Sequence, residues 1–401
     1  MSQPSFDRNY DVLLYGAGGF TGRQTVAYFA EHAPPDLAWA MAGPRRHTLE
    51  AARDAAHARL ADSDLLVAPS QDQSAVDAAV ASSRIVLSTA GPFALYGTPI
   101  VDACVRSGTH YVDITGESPW MREIAARYHE RAQESGSKII PACGFDSVPS
   151  DLGVLLMARY VREALGVPCA EVRSYFRLSG GLNGGTVASL LNMLDTPRRA
   201  NATERHTARE RDQRIRMVKR PQFDSAIGTW IGPFVMAPTN THVVSRSLDE
   251  GAYDPDFIYQ EAMSYRSPFA PAKALAASAG LGLLLAALKQ PLTRRLVEPL
   301  LPKPGMGPSV KTMNTGWFSC DLIGIATNGR QARGLIRYDG DPGNRATTVF
   351  LCESALALAL EADALPGGRA RGGVLTPATG LGDVLVKRLR KAGVVIEIPS
   401  G

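Results

Sequence analysis

Short apolar runs alternate with amphipathic stretches through the first third of the chain. Residues 11–15, 37–42, 65–68, 84–90, 110–114 and 138–142 are compact runs of the length and composition of buried strands. Between them, residues 23–30, 46–60, 74–80, 98–107 and 119–135 carry apolar side chains at helical spacing. Strict alternation of strand and helix predicts βα units stacked into a parallel, doubly wound sheet.

Beyond residue 150 the pattern changes. Residues 152–165 and 187–194 read as helices, and 171–178 alternate as a half-buried strand does. Further short strands are expected at 230–231, 234–236 and 242–244. Runs 317–326 and 331–338 flank Asn328-Gly329, a hairpin signal. Helices are expected at 344–360 and 381–390. The fold class is therefore α/β: a Rossmann-type doubly wound parallel sheet over residues 1–150, and a second α+β domain with a mixed sheet over 151–343. A C-terminal segment, 344–401, follows. Residues 274–288 form an uncharged apolar run between Lys273 and Lys289, with Arg294 and Arg295 just beyond. This length falls short of the ~20 residues of a membrane span. It suits either a buried core helix or an interfacial anchor with basic flanks.

The chemistry starts at the first strand–helix junction. Gly16, Gly18, Gly19, Phe20, Thr21 and Gly22 lie in a turn between an apolar strand and a helix, the context in which a glycine pattern signals dinucleotide binding. Glycines there allow a tight turn, approach of a pyrophosphate and close helix packing, and the helix start offers N–H groups to phosphate. After the second strand, where such folds read the adenosine ribose, stand Arg45 and Arg46 and no acid. That favours NADP (NADPH), whose 2′-phosphate an arginine accepts. Both arginines also fit a plain solvated helix start. Thr89, Ala90, Gly91 and Pro92 end the fourth strand, on the side where ligands of open α/β sheets bind. Asp72 suits either an adenine contact or a helix cap. Tyr96, Cys143 and Asp146 are the candidate proton donors near strand ends. Tyr96 equally suits packing beneath the loops, and Asp146 suits capping of the helix near Pro149.

Composition narrows this little. A net charge of +4 over 401 residues is too small to argue for nucleic acid. The basic stretch 198–220 lacks interleaved aromatics, so it reads as a solvated segment or as a dock for an acidic partner such as an acyl carrier protein. Cys104, Cys143, Cys169, Cys320 and Cys352 are scattered without metal-ligand spacing, which fits a reduced cytoplasmic protein without metal. The glycine-rich turn 179–186 reads as a tight connection or as a second anion site.

Several motifs occur together: 16–22 (GAGGFTG), 90–93 (AGPF), Tyr96-Gly97, 110–113 (HYVD), 115–117 (TGE), 143–147 (CGFDS), Pro149, Asp151, 304–309 (PGMGPS) and 372–377 (GGVLTP). This set resembles the saccharopine dehydrogenase-like oxidoreductases, in the branch that includes bacterial trans-acting enoyl reductases. One departure is Pro44, where that family carries an arginine. The resemblance implies a nicotinamide-dependent reductase whose C-terminal segment returns to the nucleotide domain. Its implied reaction is reduction of a carbon–carbon double bond in an acyl thioester of lipid or polyketide metabolism, with membrane contact through 274–288 and a homodimer as further expectations. Two alternatives stand beside it: a non-catalytic NADP sensor or lipid-associated scaffold, and a saccharopine-type dehydrogenase of amino-acid metabolism.

Overall fold

A computed structural model describes residues 8–195, 214–254 and 256–398. The bulk of the basic stretch expected at 198–220 lies outside the described residues.

The first sheet, among the described residues, has seven strands, all parallel. They are β1 (Tyr10–Tyr15), β2 (Trp39–Gly43), β3 (Leu65–Val67), β4 (Ser83–Ser88), β5 (His110–Asp113), β6 (Lys138–Ile140) and, from late in the chain, β14 (Gly373–Val374). The order is β14-β6-β5-β4-β1-β2-β3. Helices α1 (Phe20–His32), α2 (Arg46–Ala55), α3 (Gln73–Ala81), α4 (Phe93–Ser107) and α5 (Ser118–Ser135) connect the strands. The order reverses between β1 and β4, and the crevice beyond their carboxyl ends is where ligands bind in such sheets. Strand interiors such as Val12, Leu13, Leu14, Val86, Leu87 and Val112 are fully buried, as both faces of a parallel sheet require.

The second sheet is mixed. Strand β7 (Cys169–Ser179) runs parallel to β11 (Ile258–Tyr265) and antiparallel to β12 (Trp317–Ala326). Strand β13 (Gln331–Tyr338) forms the expected hairpin with β12, and Gly329 takes a positive φ of 84° in its turn. The edge strand β15 (Val395–Glu397) pairs with β13. The residues after 343 therefore supply a strand to each sheet. They also contribute α12 (Thr347–Leu360), almost wholly buried, whose Glu353 accepts from Tyr28 of α1 at 2.6 Å and from Arg388 at 2.7 Å.

Three elements differ from the hydropathy pattern. Residues 242–244 belong not to a strand but to helix α8 (Ala237–Asp249), and 234–236 form its lead-in turn. The β-branched pair Val243-Val244 favours a strand locally, but both side chains and Leu248 pack into the core, and tertiary burial overrides the propensity. Helix α4 begins at Phe93, five residues before the expected start at 98, because Glu117 caps it from a distant loop. Helix α2 stops at Ala55, and His57 then takes a positive φ of 49°.

The apolar run forms helix α9 (Ala270–Lys289), and only Ala270, Ala274 and Leu288 are buried. It is not a core helix.

Candidate active site

The glycine turn is held by close packing. Gly16 has φ +85°, which favours glycine, and a Cβ there would lie 2.9 Å from Thr89 Oγ1. A Cβ on Gly22 would come within 2.2 Å of the Gly16 carbonyl oxygen, so helix α1 reaches the turn only without a side chain. Gly19 is the N-cap of α1 and offers no side-chain cap. The first turn of α1 therefore has no side-chain cap, and a helix start of this kind is a ready site for a pyrophosphate.

Beside this opening, Thr89 Oγ1 donates to the Tyr15 and Gly16 carbonyls at 3.3 and 3.2 Å, which sets Ala90, Gly91 and Pro92 along the crevice. The two arginines after β2 have different surroundings. Arg46 is engaged, with Nε 3.1 Å from Glu50 and a second contact to Asp62 at 3.7 Å. Arg45 is exposed at the N-cap of α2, and its guanidinium has no ion-pair partner among the described residues. Thr48, one turn on, lies so near Gly18 that a Cβ there would be 2.6 Å from its hydroxyl. The arginine segment and the glycine turn therefore share one rim. These residues fit a dinucleotide with a 2′-phosphate, through Gly16–Gly22 for the pyrophosphate and Arg45 for the extra charge.

Residues 12–140 match the family model of the saccharopine dehydrogenase NADP-binding domain. A trans-acting enoyl reductase of Mycobacterium tuberculosis is 38% identical over 418 residues, covering 97% of this chain and 98% of its own. The chain belongs to the saccharopine dehydrogenase-like oxidoreductases. A second trans-acting enoyl reductase, from Mycobacterium ulcerans, is 34% identical and covers 98% of both chains. In fold, this oxidoreductase is similar to saccharopine dehydrogenase (L-Glu forming) from Saccharomyces cerevisiae. The TM-score is 0.55 at 14% identity, over 97% of this chain and 99% of that one. It is also similar in fold to the homospermidine synthase of Legionella pneumophila, with a TM-score of 0.54 at 9% identity over 99% and 93% of the two chains.

On the other wall of the oxidoreductase's crevice, the candidate acids separate. Cys143 is fully buried, its Sγ directed to the Ile140 carbonyl at 3.3 Å, and burial pushes its thiol far up; it is packing, not a proton donor. Asp146 follows β6, is partly exposed, and places Oδ2 beside Gly116, where a Cβ would lie 3.5 Å from it. The preceding Phe145 stacks into an aromatic cluster, 4.7 Å from Phe318 and 5.9 Å from Phe176. Burial pushes the Asp146 carboxyl up to about 6 by desolvation. Asp146 does not cap helix α6 (Val148–Leu165), whose N-cap, Ser147, makes no side-chain cap bond. Tyr96 lies in the first turn of α4, half-buried, and no hydrogen bond joins it to Asp146. Asp72 caps α3, accepting from Ala75 N at 3.1 Å.

Several residues of this region escaped the pattern analysis. Glu117 accepts from Phe93 N at 2.7 Å, Ala94 N at 3.1 Å and Ser189 Oγ at 2.7 Å. Ser189 belongs to α7 (Gly184–Asp195) of the second domain, so Glu117 fastens the two domains across the crevice. The loop 304–309 closes from the same side: a Cβ on Gly307 would lie 2.3 Å from the Phe20 ring. The 304–309 and 115–117 motifs signalled importance but not contact. The turn 179–186 is a packed connection, with Gly181 N donating to Asp341 at 2.5 Å and Asn183 capping Thr186 N at 2.9 Å. Behind Asp146, Glu261 of β11 is buried and accepts from Asn240, Tyr259 and Ser150 at 2.6, 2.7 and 2.9 Å. Burial and the charge of Asp146 push it up, to about 7. Nothing in the sequence marked it, because β11 buries Gln260, Glu261 and Ser264 and so lacks a clean apolar alternation.

Proposed function

We propose that this oxidoreductase uses NADPH, in preference to NADH, to reduce the carbon–carbon double bond of an enoyl thioester. The observation that carries this reading is the pairing, across one crevice, of an open dinucleotide turn with a partly accessible carboxyl held near neutrality. The relatives named trans-acting enoyl reductases, matched over nearly the whole chain, support the substrate class.

NADPH, which the α1 N-terminus and Arg45 would hold, would supply the hydride. Reduction of an enoyl thioester also needs one proton at the carbon next to the carbonyl. Asp146 supplies it: an acid of about 6 is both partly protonated at neutral pH and strong enough to give the proton up.

The deciding experiment follows NADPH oxidation spectroscopically over a panel of enoyl and carbonyl thioesters, with saccharopine-type substrates included. Turnover of enoyl thioesters alone supports the proposal. Turnover of an amino-dicarboxylate would reassign the chemistry, and NADPH binding without turnover across the panel would make the protein a sensor.

A further inference from the structure

Helix α9 is uncharged and, apart from Ser278, apolar from Ala274 to Leu288, and it projects from the second domain. It touches the protein along one narrow line: a Cβ on Gly232 of the strand Thr229–Gly232 would be 3.1 Å from Ser278 Oγ, and Ala274 is buried nearby. The remaining faces carry leucine and alanine into solvent. The next helix, α10 (Pro291–Val297), continues the surface with Leu292 and Leu296, and Leu300 follows. Leu283, Leu296 and Leu300 are 72, 74 and 82% exposed, and Phe269, Leu275, Met306 and Val310 extend the patch at both ends. A contiguous apolar surface of this kind marks a site that is covered in use.

The charges choose the occupant. Residues 269–311 contain Lys273, Lys289, Arg294, Arg295, Lys303 and Lys311, against the single acid Glu298. Lys289 and Arg295 stand exposed in a groove of about 340 Å³ at the joint of the two helices, where Arg294 is occupied by Asp195 and Glu298. Apolar side chains rimmed by cations that, Arg294 apart, have no ion-pair partner among the described residues match a bilayer of anionic lipid, which offers acyl chains to the leucines and phosphates to the lysines and arginines. A second copy of this chain would bring the same cations against one another. An acidic carrier protein would meet the rim but leave most of the apolar length uncovered.

The helix is long and apolar enough to cross a membrane, yet its anchorage forbids it. Its start follows β11, and just past its end Arg294 is fixed to Asp195 of α7, so both ends stay on the protein's side. We infer that residues 269–301 form an in-plane anchor that seats the protein on the surface of an anionic phospholipid bilayer. The anchor runs directly into loop 304–309, whose Gly307 lies on Phe20 of the dinucleotide turn, so the seated surface adjoins the crevice.

This inference does not depend on the reaction chemistry, and its test reads binding alone. The full-length protein is floated with vesicles of phosphatidylcholine, or of phosphatidylcholine with 30% phosphatidylglycerol, a share of about one charged lipid in three chosen to saturate the electrostatic attraction. Binding is expected to the anionic vesicles, weakening at least tenfold between low and high salt. L283E/L296E should abolish it, and K289E/R295E should remove the preference for anionic lipid. NADPH binding, retained in both variants, shows that they fold. A blue shift of the L283W fluorescence on adding vesicles gives an independent readout. Absence of flotation overturns the inference, as does dimerisation that L283E/L296E abolishes while vesicles have no effect; the face would then join two copies.

Discussion

The hydroxyl of Ser189 donates at 2.7 Å to the same Glu117 oxygen that receives the N–H of Phe93. One carboxylate thereby caps a helix of the nucleotide domain and holds a helix of the second domain. Glu117→Gln keeps the shape but turns one acceptor into a donor facing an N–H group. It should cost about 1–3 kcal/mol in denaturant unfolding, the range for an unsatisfied buried group. Ser189→Ala should cost about 1 kcal/mol. Equal, negligible losses for both would show that the cap is not holding the domains together.

Arg45 and Arg46 should behave oppositely despite being adjacent. Arg45→Ala removes the unpaired guanidinium and is expected to weaken NADPH about tenfold or more, the scale of one charge-assisted contact, with NADH unchanged. Arg46→Ala breaks exposed pairs to Glu50 and Asp62 and should change NADPH affinity less than twofold, since such pairs contribute little. Fluorescence titration with both cofactors measures this, and an unaltered NADPH/NADH ratio in Arg45→Ala would remove Arg45 from the site.

Gly307→Ala places a methyl against the Phe20 ring. The ring can swing, so folding should survive, but Phe20 N–H opens the phosphate site and its displacement should weaken NADPH binding severalfold. Gly22→Ala meets the backbone carbonyl of Gly16, which cannot give way, and should abolish binding. Titration of both variants separates a movable neighbour from an immovable one.

Asp146 acts in its protonated form, so kcat for reduction should be level at low pH and fall as pH rises through about 6. Asp146→Asn should lower kcat by about 100-fold or more, within the usual range for losing a general acid, and flatten that limb of the profile. A profile unchanged in shape would assign the proton to another group, with Tyr96 the next to substitute.

Stability should respond to pH in an uncommon direction. Burial raises Asp113 and Glu261 to about 7, and Asp146 and Asp151 to about 6, from ordinary carboxyl values. A carboxyl raised in the fold contributes stability that is complete below its unfolded pKa and is lost as pH climbs through its folded one. The melting temperature should therefore rise from pH 8 to about 5.5, before carboxylates held low by arginines, such as Asp77 and Asp383, begin to be lost in stronger acid. Asp113→Asn keeps an oxygen for Thr115 N and Ala142 N, both 2.9 Å from Oδ1, and should flatten this slope. Scanning fluorimetry from pH 5 to 8 decides it, and a melting temperature that falls toward pH 5.5 would contradict the assignment.

The first domain was legible because each of its elements carries a local signal. The run before Gly16 is buried on both faces, and the positive φ of Gly16 is a requirement written in the residue itself. The second domain hid what depends on distant partners. Val243-Val244 looks like a strand until the core beneath it is known, and β11 reads as polar because Glu261 is satisfied by three residues from three different elements. Glu117 was visible as part of a motif, but its work on Phe93 and Ser189 exists only once 24 and 72 residues of chain have folded back. The exposure of α9 could not be read from composition at all, since a buried helix and an exposed apolar one share the same sequence pattern.

Strands β14 and β15 give both sheets a strand from the last part of the chain, the first beside β6 and the second beside β13. During synthesis neither sheet can reach its final width until residues 373–397 have left the ribosome. Both sheets then close almost together. The nascent protein is accordingly most vulnerable before those residues emerge. A chain cut short before residue 373 should be a substrate for chaperones and proteases rather than a working fragment.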